Sequence, residues 1–119
     1  MEKAHKNLKV RQESIELAKE IYKITANIPT TEKYGLTSQM RRAAVSIPSN
    51  IAEGAARQGL KESIHFYTIA RGSLSELDAQ VELCNQLSFL NSSEISGLMS
   101  HIDTVDLFLS GLIRYKRKQ

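Results

Sequence analysis

The sequence predicts an all-α protein, a single four-helix bundle of up-down-up-down antiparallel topology. Three observations predict it. Apolar residues recur with a period near 3.6 along four long segments, and no stretch alternates with the period of two that marks a strand. Pro29, Gly35 and Gly59 fall between those segments. The links are short, so consecutive helices lie side by side. With 41% hydrophobic and 24% charged residues in 119, the chain has the balance of one globular domain spanning residues 1–119.

The first helix is predicted over about 8–27. Ile15, Ala18, Ile21, Tyr22 and Ile24 form its apolar positions, Leu17 widens the stripe, and Glu16–Lys19 and Glu20–Lys23 are favourable pairs three apart. Pro29 stops it, because the residue before proline is pushed out of the α region. Thr30-Thr31-Glu32 suits a short capped turn, with Gly35 expected to end it at positive φ. The second helix, about 37–58, has the stripe Met40, Ala43, Ala44, Ile47, Ile51, Ala52 and Ala55. Pro48 removes a backbone donor inside it, which predicts a kink or a restart. Asn50 and Glu53 have the spacing of a capping box for that restart.

The third helix, about 60–89, carries Tyr67, Ala70, Leu74, Leu77, Val81, Cys84 and Ser88 at alternating steps of three and four, a bundle seam. Gly72 in its middle costs about 1 kcal/mol against alanine, which close packing at that point would explain. Asn91 with Glu94 is a second capping box. The fourth helix, about 93–115, repeats the seam at Ile95, Leu98, Ile102, Val105, Leu109 and Leu112. Phe66, Ile69, Leu83 and Leu87 flank the third seam, and Phe108 and Ile113 the fourth. Broad stripes explain this surplus; so does a second packing surface used in self-association.

Charge is distributed unevenly. Residues 1–72 hold twelve Lys/Arg against seven Asp/Glu, residues 73–113 hold six acids and no Lys or Arg, and the tail from Arg114 adds four basic residues. The basic parts suit a polyanion or the acidic part of the same or another chain, and a plain solvated face is the commoner meaning of such asymmetry. No run reaches the roughly 18 apolar residues of a membrane span. The charged start, MEKAHKNLKV, lacks the apolar core of a secretion signal, so the expected location is the cytoplasm. One cysteine, Cys84, excludes an internal disulfide.

Catalytic constellations are missing from the pattern. His5, His65 and His101 are scattered over different segments. Glu62 and His65 match the Glu-x-x-His spacing of di-iron bundles, but a second such motif is absent and a surface pair is the simpler reading. Cys84 lies on a seam, where cysteine acts as a small hydrophobe. Neither a nucleophile elbow nor a phosphate-binding glycine loop occurs. The expectation is a non-enzyme without cofactor or metal.

The dense part of the chain runs from Gln39 to Arg57. On a helix, Gln39, Arg42, Ser46, Asn50, Glu53 and Arg57 form a polar row beside the alanine-rich stripe. Two readings stand. Gln39, Arg42, Ser46, Asn50 and Glu53 make a structural polar network, buried or between subunits, that fixes helix register. Alternatively Arg41, Arg42, Arg57, Lys61 and Arg71 build an anion site. Glu53 would neutralise part of such a site, which favours the structural reading.

The same stretch resembles a known family, the small bacterial four-helix bundle proteins related to those encoded in intervening sequences of 23S ribosomal RNA genes. The carrying residues are Pro29, Glu32, Tyr34-Gly35-Leu36, the block Gln39 to Gly54, Arg57, and Ala70-Arg71-Gly72-Ser73-Leu74-Ser75-Glu76-Leu77. An aromatic residue expected near Ser14-Ile15 is absent. The resemblance implies a bundle assembling as a ring-like homopentamer. It also implies similarity to the accessory variability protein of diversity-generating retroelements, a basic barrel that binds nucleic acid and a reverse transcriptase. The expected function is therefore binding of RNA or DNA without sequence specificity, through Arg41, Arg57, Lys61, Arg71, Arg114, Lys116, Arg117 and Lys118. The alternative is a scaffold docking a protein such as a reverse transcriptase on its acidic segment. Seven aromatics, none interleaved in a basic run, argue against base stacking.

Overall fold

Four helices and one 3₁₀ turn make up the computed structural model, which describes the backbone of residues 2–119 and side chains from Asn7 onward. They are α1 (Glu2–Thr25), the 3₁₀ turn (Thr30–Glu32), α2 (Leu36–Ala56), α3 (Leu60–Gln86) and α4 (Ser92–Arg117). Among the described residues there is no strand. Each helix packs on two others: α1 and α3 each touch both α2 and α4. The 27 residues of α3 span about 40 Å at 1.5 Å per residue, which sets the long dimension of the 45 × 25 × 18 Å molecule.

Paired residues run in opposite order along neighbouring helices. Between α2 and α3 the pairs are Met40–Cys84, Ser46–Ser73 and Gly54–Ser63. Between α1 and α4 they are Asn27–Glu94, Glu20–His101 and Lys9–Phe108. Thr25 meets Arg41 where α1 gives way to α2.

α1 buries a different stripe from the expected one. Val10, Ser14, Leu17, Ile21 and Thr25 face inward, while Ile15 and Tyr22 remain 41% and 45% exposed. The two hydroxyls explain the difference. Ser14 Oγ donates to the Arg11 carbonyl at 2.9 Å and Thr25 Oγ1 to the Ile21 carbonyl at 2.6 Å. A hydroxyl satisfied by its own helix sits on the inner face at little cost.

α2 is one uninterrupted helix through Pro48. The expected restart does not occur. Asn50 donates its amide back to the Ser46 carbonyl at 2.8 Å and to Ser46 Oγ at 3.0 Å, so it braces the preceding turn instead of capping a new one. Gly35 is the N-cap of α2 with φ −115°, not the positive-φ terminator expected. Ala52 is exposed, and Gly54 takes the buried place one turn after Ile51.

The α3 seam from Tyr67 to Cys84 is buried as its spacing predicts. Ser88 is not part of it. The helix ends at Gln86, and Ser88 takes the left-handed conformation with φ 58°. Phe89 N–H then donates to the Cys84 carbonyl at 3.0 Å and Ser88 N–H to the Asn85 carbonyl at 3.2 Å, the Schellman closure usually built on glycine. The capping box that opens α4 forms: Glu94 N–H donates to Asn91 Oδ1 at 2.8 Å, and Asn91 N–H to Glu94 Oε1 at 2.9 Å. Gly72 has no atom within 4 Å of the place a Cβ would take, so packing inside the chain does not explain it.

Candidate nucleic-acid interface

One end of the molecule gathers basic residues from all four helices. Tyr67 hydroxyl donates to Asn7 Oδ1 at 2.9 Å, Ser63 Oγ to the Gly54 carbonyl at 2.8 Å, and the Lys9 ammonium lies 5.4 Å from the Phe108 ring. These contacts bring the early part of α1, the α2–α3 link and the late part of α4 together. Lys9, Arg11, Arg57, Lys61, Arg114, Arg117 and Lys118 therefore share this end, and all seven are exposed. Glu13 pairs with Lys9 at 3.5 Å and Glu53 with Arg57 at 2.8 Å. The Arg57 guanidinium also lies 4.8 Å from the Phe66 ring, which holds it in place. Lys61, Arg114, Arg117 and Lys118 have no carboxylate partner among the described residues. Long cationic side chains gathered at one end are the arrangement that suits a phosphate backbone.

Lys116 is a correction to the predicted set. Its side chain is only 2% exposed and is engaged within the protein. α4 continues past the expected end at Tyr115, and Lys116, one turn after Leu112 and Ile113, falls on the inner face. Arg41 lies at the opposite end, already committed: Nε donates to Thr25 Oγ1 at 3.0 Å and Nη2 to the Tyr22 carbonyl at 3.1 Å. Arg71 is half-buried midway along α3. The structure thus joins Arg57, Lys61, Arg114, Arg117 and Lys118 and leaves Arg41 and Arg71 apart.

The polar row on α2 is not a buried network within one chain. Ser46 Oγ and Ser73 Oγ are 2.8 Å apart, and Asn50 bonds to Ser46, so these two are half-covered by α3. Gln39, Arg42 and Glu53 are exposed. The row lies beside the inward stripe Met40, Ala43, Ala44, Ile47, Ile51, Gly54, and only its middle meets α3.

Three features escaped the sequence reading. A Cβ at Gly54 would meet Tyr67 Cε1 at 2.5 Å and the Ser63 carbonyl oxygen at 3.0 Å, so glycine is what lets α2 and α3 close at the basic end. His101 Nδ1 lies 2.7 Å from Glu20 Oε1 and bridges α4 to α1. Asp78, Asp103 and Asp106 line a shallow groove between α3 and α4 with Leu74, Ser75 and Ile102. The steps of the Ile47–Ile51–Gly54 series were the one available signal for the first; the other two pair residues too distant in sequence to read.

Cys84 is held as a core residue. Burial pushes the Cys84 thiol up to about 11, with the Glu32 charge adding to it, so the thiolate is suppressed. Its sulfur lies 3.6 Å from Met40 Sδ in the core. Glu62 and His65 are both exposed, and the described residues contain no cluster of three or more His, Cys, Asp or Glu able to hold a metal. The side chain of His5 lies outside the described residues. No described helix is long and apolar enough to cross a membrane.

Fold and surface together define a small all-helical protein of four packed helices with a charge-polarised surface. Residues 6–111 match the family described as 23S rRNA-intervening sequence protein, and the chain belongs to that family. A solved structure from Bacteroides thetaiotaomicron, a protein of unknown function from the S23 ribosomal protein family, has the same fold. Its TM-score is 0.84 at 20% identity, over 92% of this chain and 98% of that one. Comparison with functionally curated proteins finds no match.

Proposed function

We propose that this protein is a non-enzymatic, cytoplasmic, homo-oligomeric helical bundle of up-down-up-down topology that binds nucleic acid through its basic end, without sequence specificity. The carrying observation is the convergence of Arg57, Lys61, Arg114, Arg117 and Lys118, with Lys9 and Arg11, from four helices onto one end. Lys and Arg side chains reach phosphates, and contacts to phosphates carry no sequence information. Self-association into a ring, such as a pentamer, is supported by residues with no partner inside the chain. Ile69 and Leu83 are exposed along the outer face of α3, and Leu87 just after its end. Glu53 is also exposed, so its end of the polar row becomes buried only against a second copy. Glu53→Ala then loosens the oligomer, whereas within one chain an exposed Glu53–Arg57 pair is worth at most about 1 kcal/mol.

The test is a binding series with RNA and DNA of unrelated sequences at rising salt. Comparable affinities that fall steeply with salt support the reading, and no binding at low salt refutes it. The Asp78–Asp103–Asp106 groove supports a second reading, a scaffold whose acidic side docks a basic protein such as a reverse transcriptase. Retention of such a partner at moderate salt, lost on Asp103→Asn with Asp106→Asn, is its signature.

A further inference from the structure

The first turn of α2 and the facing side of α1 enclose an open groove lined by Tyr22, Lys33, Tyr34, Thr37, Ser38, Arg41, Arg42 and Val45. Its composition is unusual for this surface: three cations, two phenol rings, two hydroxyls and no carboxylate. Among the described residues Tyr34, 89% exposed, is the most exposed of the large hydrophobic side chains, and it has no hydrogen bond to any of them. Its ring lies 5.6 Å from the Lys33 ammonium. Tyr22 is 45% exposed, with the Arg41 guanidinium 4.7 Å from its ring. Arg41 is fixed there by its bonds to Thr25 Oγ1 and the Tyr22 carbonyl, so it forms a rigid cationic wall. Arg42 is exposed and has no partner among the described residues. The Glu32 carboxylate lies just behind the groove, where Oε1 accepts from Leu36 N–H at 3.3 Å.

We propose that this groove binds a single-stranded segment of nucleic acid, with a base stacked on Tyr34 and the neighbouring phosphates held by Lys33 and Arg42. The proposal rests on the nucleic-acid reading above and extends it to a second place, at the opposite end from the basic cluster. The ligand class follows from the pairing of groups. Cations alone accept any polyanion, but an exposed ring beside a cation offers a flat surface for a base, which every nucleotide presents. Bases inside a duplex are stacked on one another and keep their faces from the protein, so the ring discriminates in favour of single strands. Stacking is indifferent to which base is stacked, so the preference is one of form, not of sequence. The sequence, with no aromatic interleaved in a basic run, argues against base stacking; the groove differs because the turn at Thr30–Glu32 brings Tyr22, Tyr34 and Arg42 together.

The experiment measures fluorescence anisotropy of the full-length protein with a labelled oligouridylate and with a labelled hairpin duplex, at one low salt concentration. Tyr34→Ala weakens oligouridylate binding by about tenfold, within the range that loss of one base–aromatic stack produces, and leaves duplex binding unchanged. Tyr34→Phe keeps the wild-type affinity, because the ring and not the hydroxyl is used. Lys61→Ala, at the basic end, weakens both ligands. Unchanged oligouridylate binding by Tyr34→Ala, or an equal loss on both ligands, overturns the proposal while the basic-end reading stands. A change in oligomer size with Tyr34→Ala, followed by light scattering, also overturns it, because the ring would then be serving subunit contact. Wild-type protein that binds neither ligand overturns the general reading and this one together.

Discussion

Gly54→Ala is the sharpest perturbation of the fold. The new Cβ would lie 2.5 Å from Tyr67 Cε1 and 2.8 Å from Cδ1, whereas carbon–carbon contacts are comfortable at about 3.5–4.0 Å. The ring cannot swing aside freely, since Tyr67 is fully buried and its hydroxyl is bonded to Asn7. The helices must part by about 1 Å, an overpacking strain of about 1–3 kcal/mol. Parting also stretches the Ser63–Gly54 hydrogen bond, now 2.8 Å, which is worth about 1 kcal/mol. Alanine returns about 1 kcal/mol through its better helix propensity. The net loss is about 2 kcal/mol, or a melting temperature about 8 °C lower for a domain of this size. Gly72→Ala is the control, with no atom within 4 Å of its Cβ, and it should gain up to about 1 kcal/mol. Thermal melts followed by circular dichroism at fixed protein concentration read both. A Gly54→Ala protein that melts with the wild type refutes the argument that glycine is required for the α2–α3 approach.

Three further outcomes are expected. Ser88→Gly relieves a left-handed residue at φ 58° and gains about 0.5–1 kcal/mol in urea unfolding, net of glycine's greater unfolded-state freedom; a loss would show that the serine side chain supports the turn. Folding raises the Cys84 thiol from its ordinary 9.0 to about 11. The unfolded chain then releases a proton that the folded one keeps, so stability is full below pH 9 and falls as pH rises toward 11. Tyr67, also raised by burial, adds to the loss above pH 10; in urea titrations, stability unchanged from pH 8 to 11 would contradict both, as would rapid thiol labelling of the native protein at pH 8. Lys116→Ala lowers the melting temperature because the side chain is buried, whereas Lys118→Ala leaves it unchanged; equal melts of the two would place Lys116 on the surface.

What the sequence revealed was the part encoded by spacing. The seams of α3 and α4 are uninterrupted apolar series, and Asn91 with Glu94 is a local capping signal, so each could be read directly. α1 was misread because its inner face includes Ser14 and Thr25, whose hydroxyls bond to their own helix, while Ile15 and Tyr22 stay outside. Pro48 looked like an interruption because the backbonding of Asn50 to Ser46 is invisible until the helix exists. The basic residues were individually visible, but their division was not. Lys116 turned inward with the last turn of α4, Arg41 was taken up by Thr25 and Tyr22, and the tail joined Arg57 and Lys61 only through helix packing.

The central claim, electrostatic binding of nucleic acid at the basic end, is tested most directly by the salt dependence of duplex DNA affinity for wild type and for Lys61→Ala/Arg117→Ala/Lys118→Ala. Each phosphate contact contributes about 0.9 to the slope of log affinity against log salt concentration. The account predicts a steep negative slope for the wild type, made shallower by about 1 to 3 in the triple variant, with helicity and oligomer size unchanged. An identical slope in the two proteins, or no measurable binding by the wild type at low salt, contradicts it.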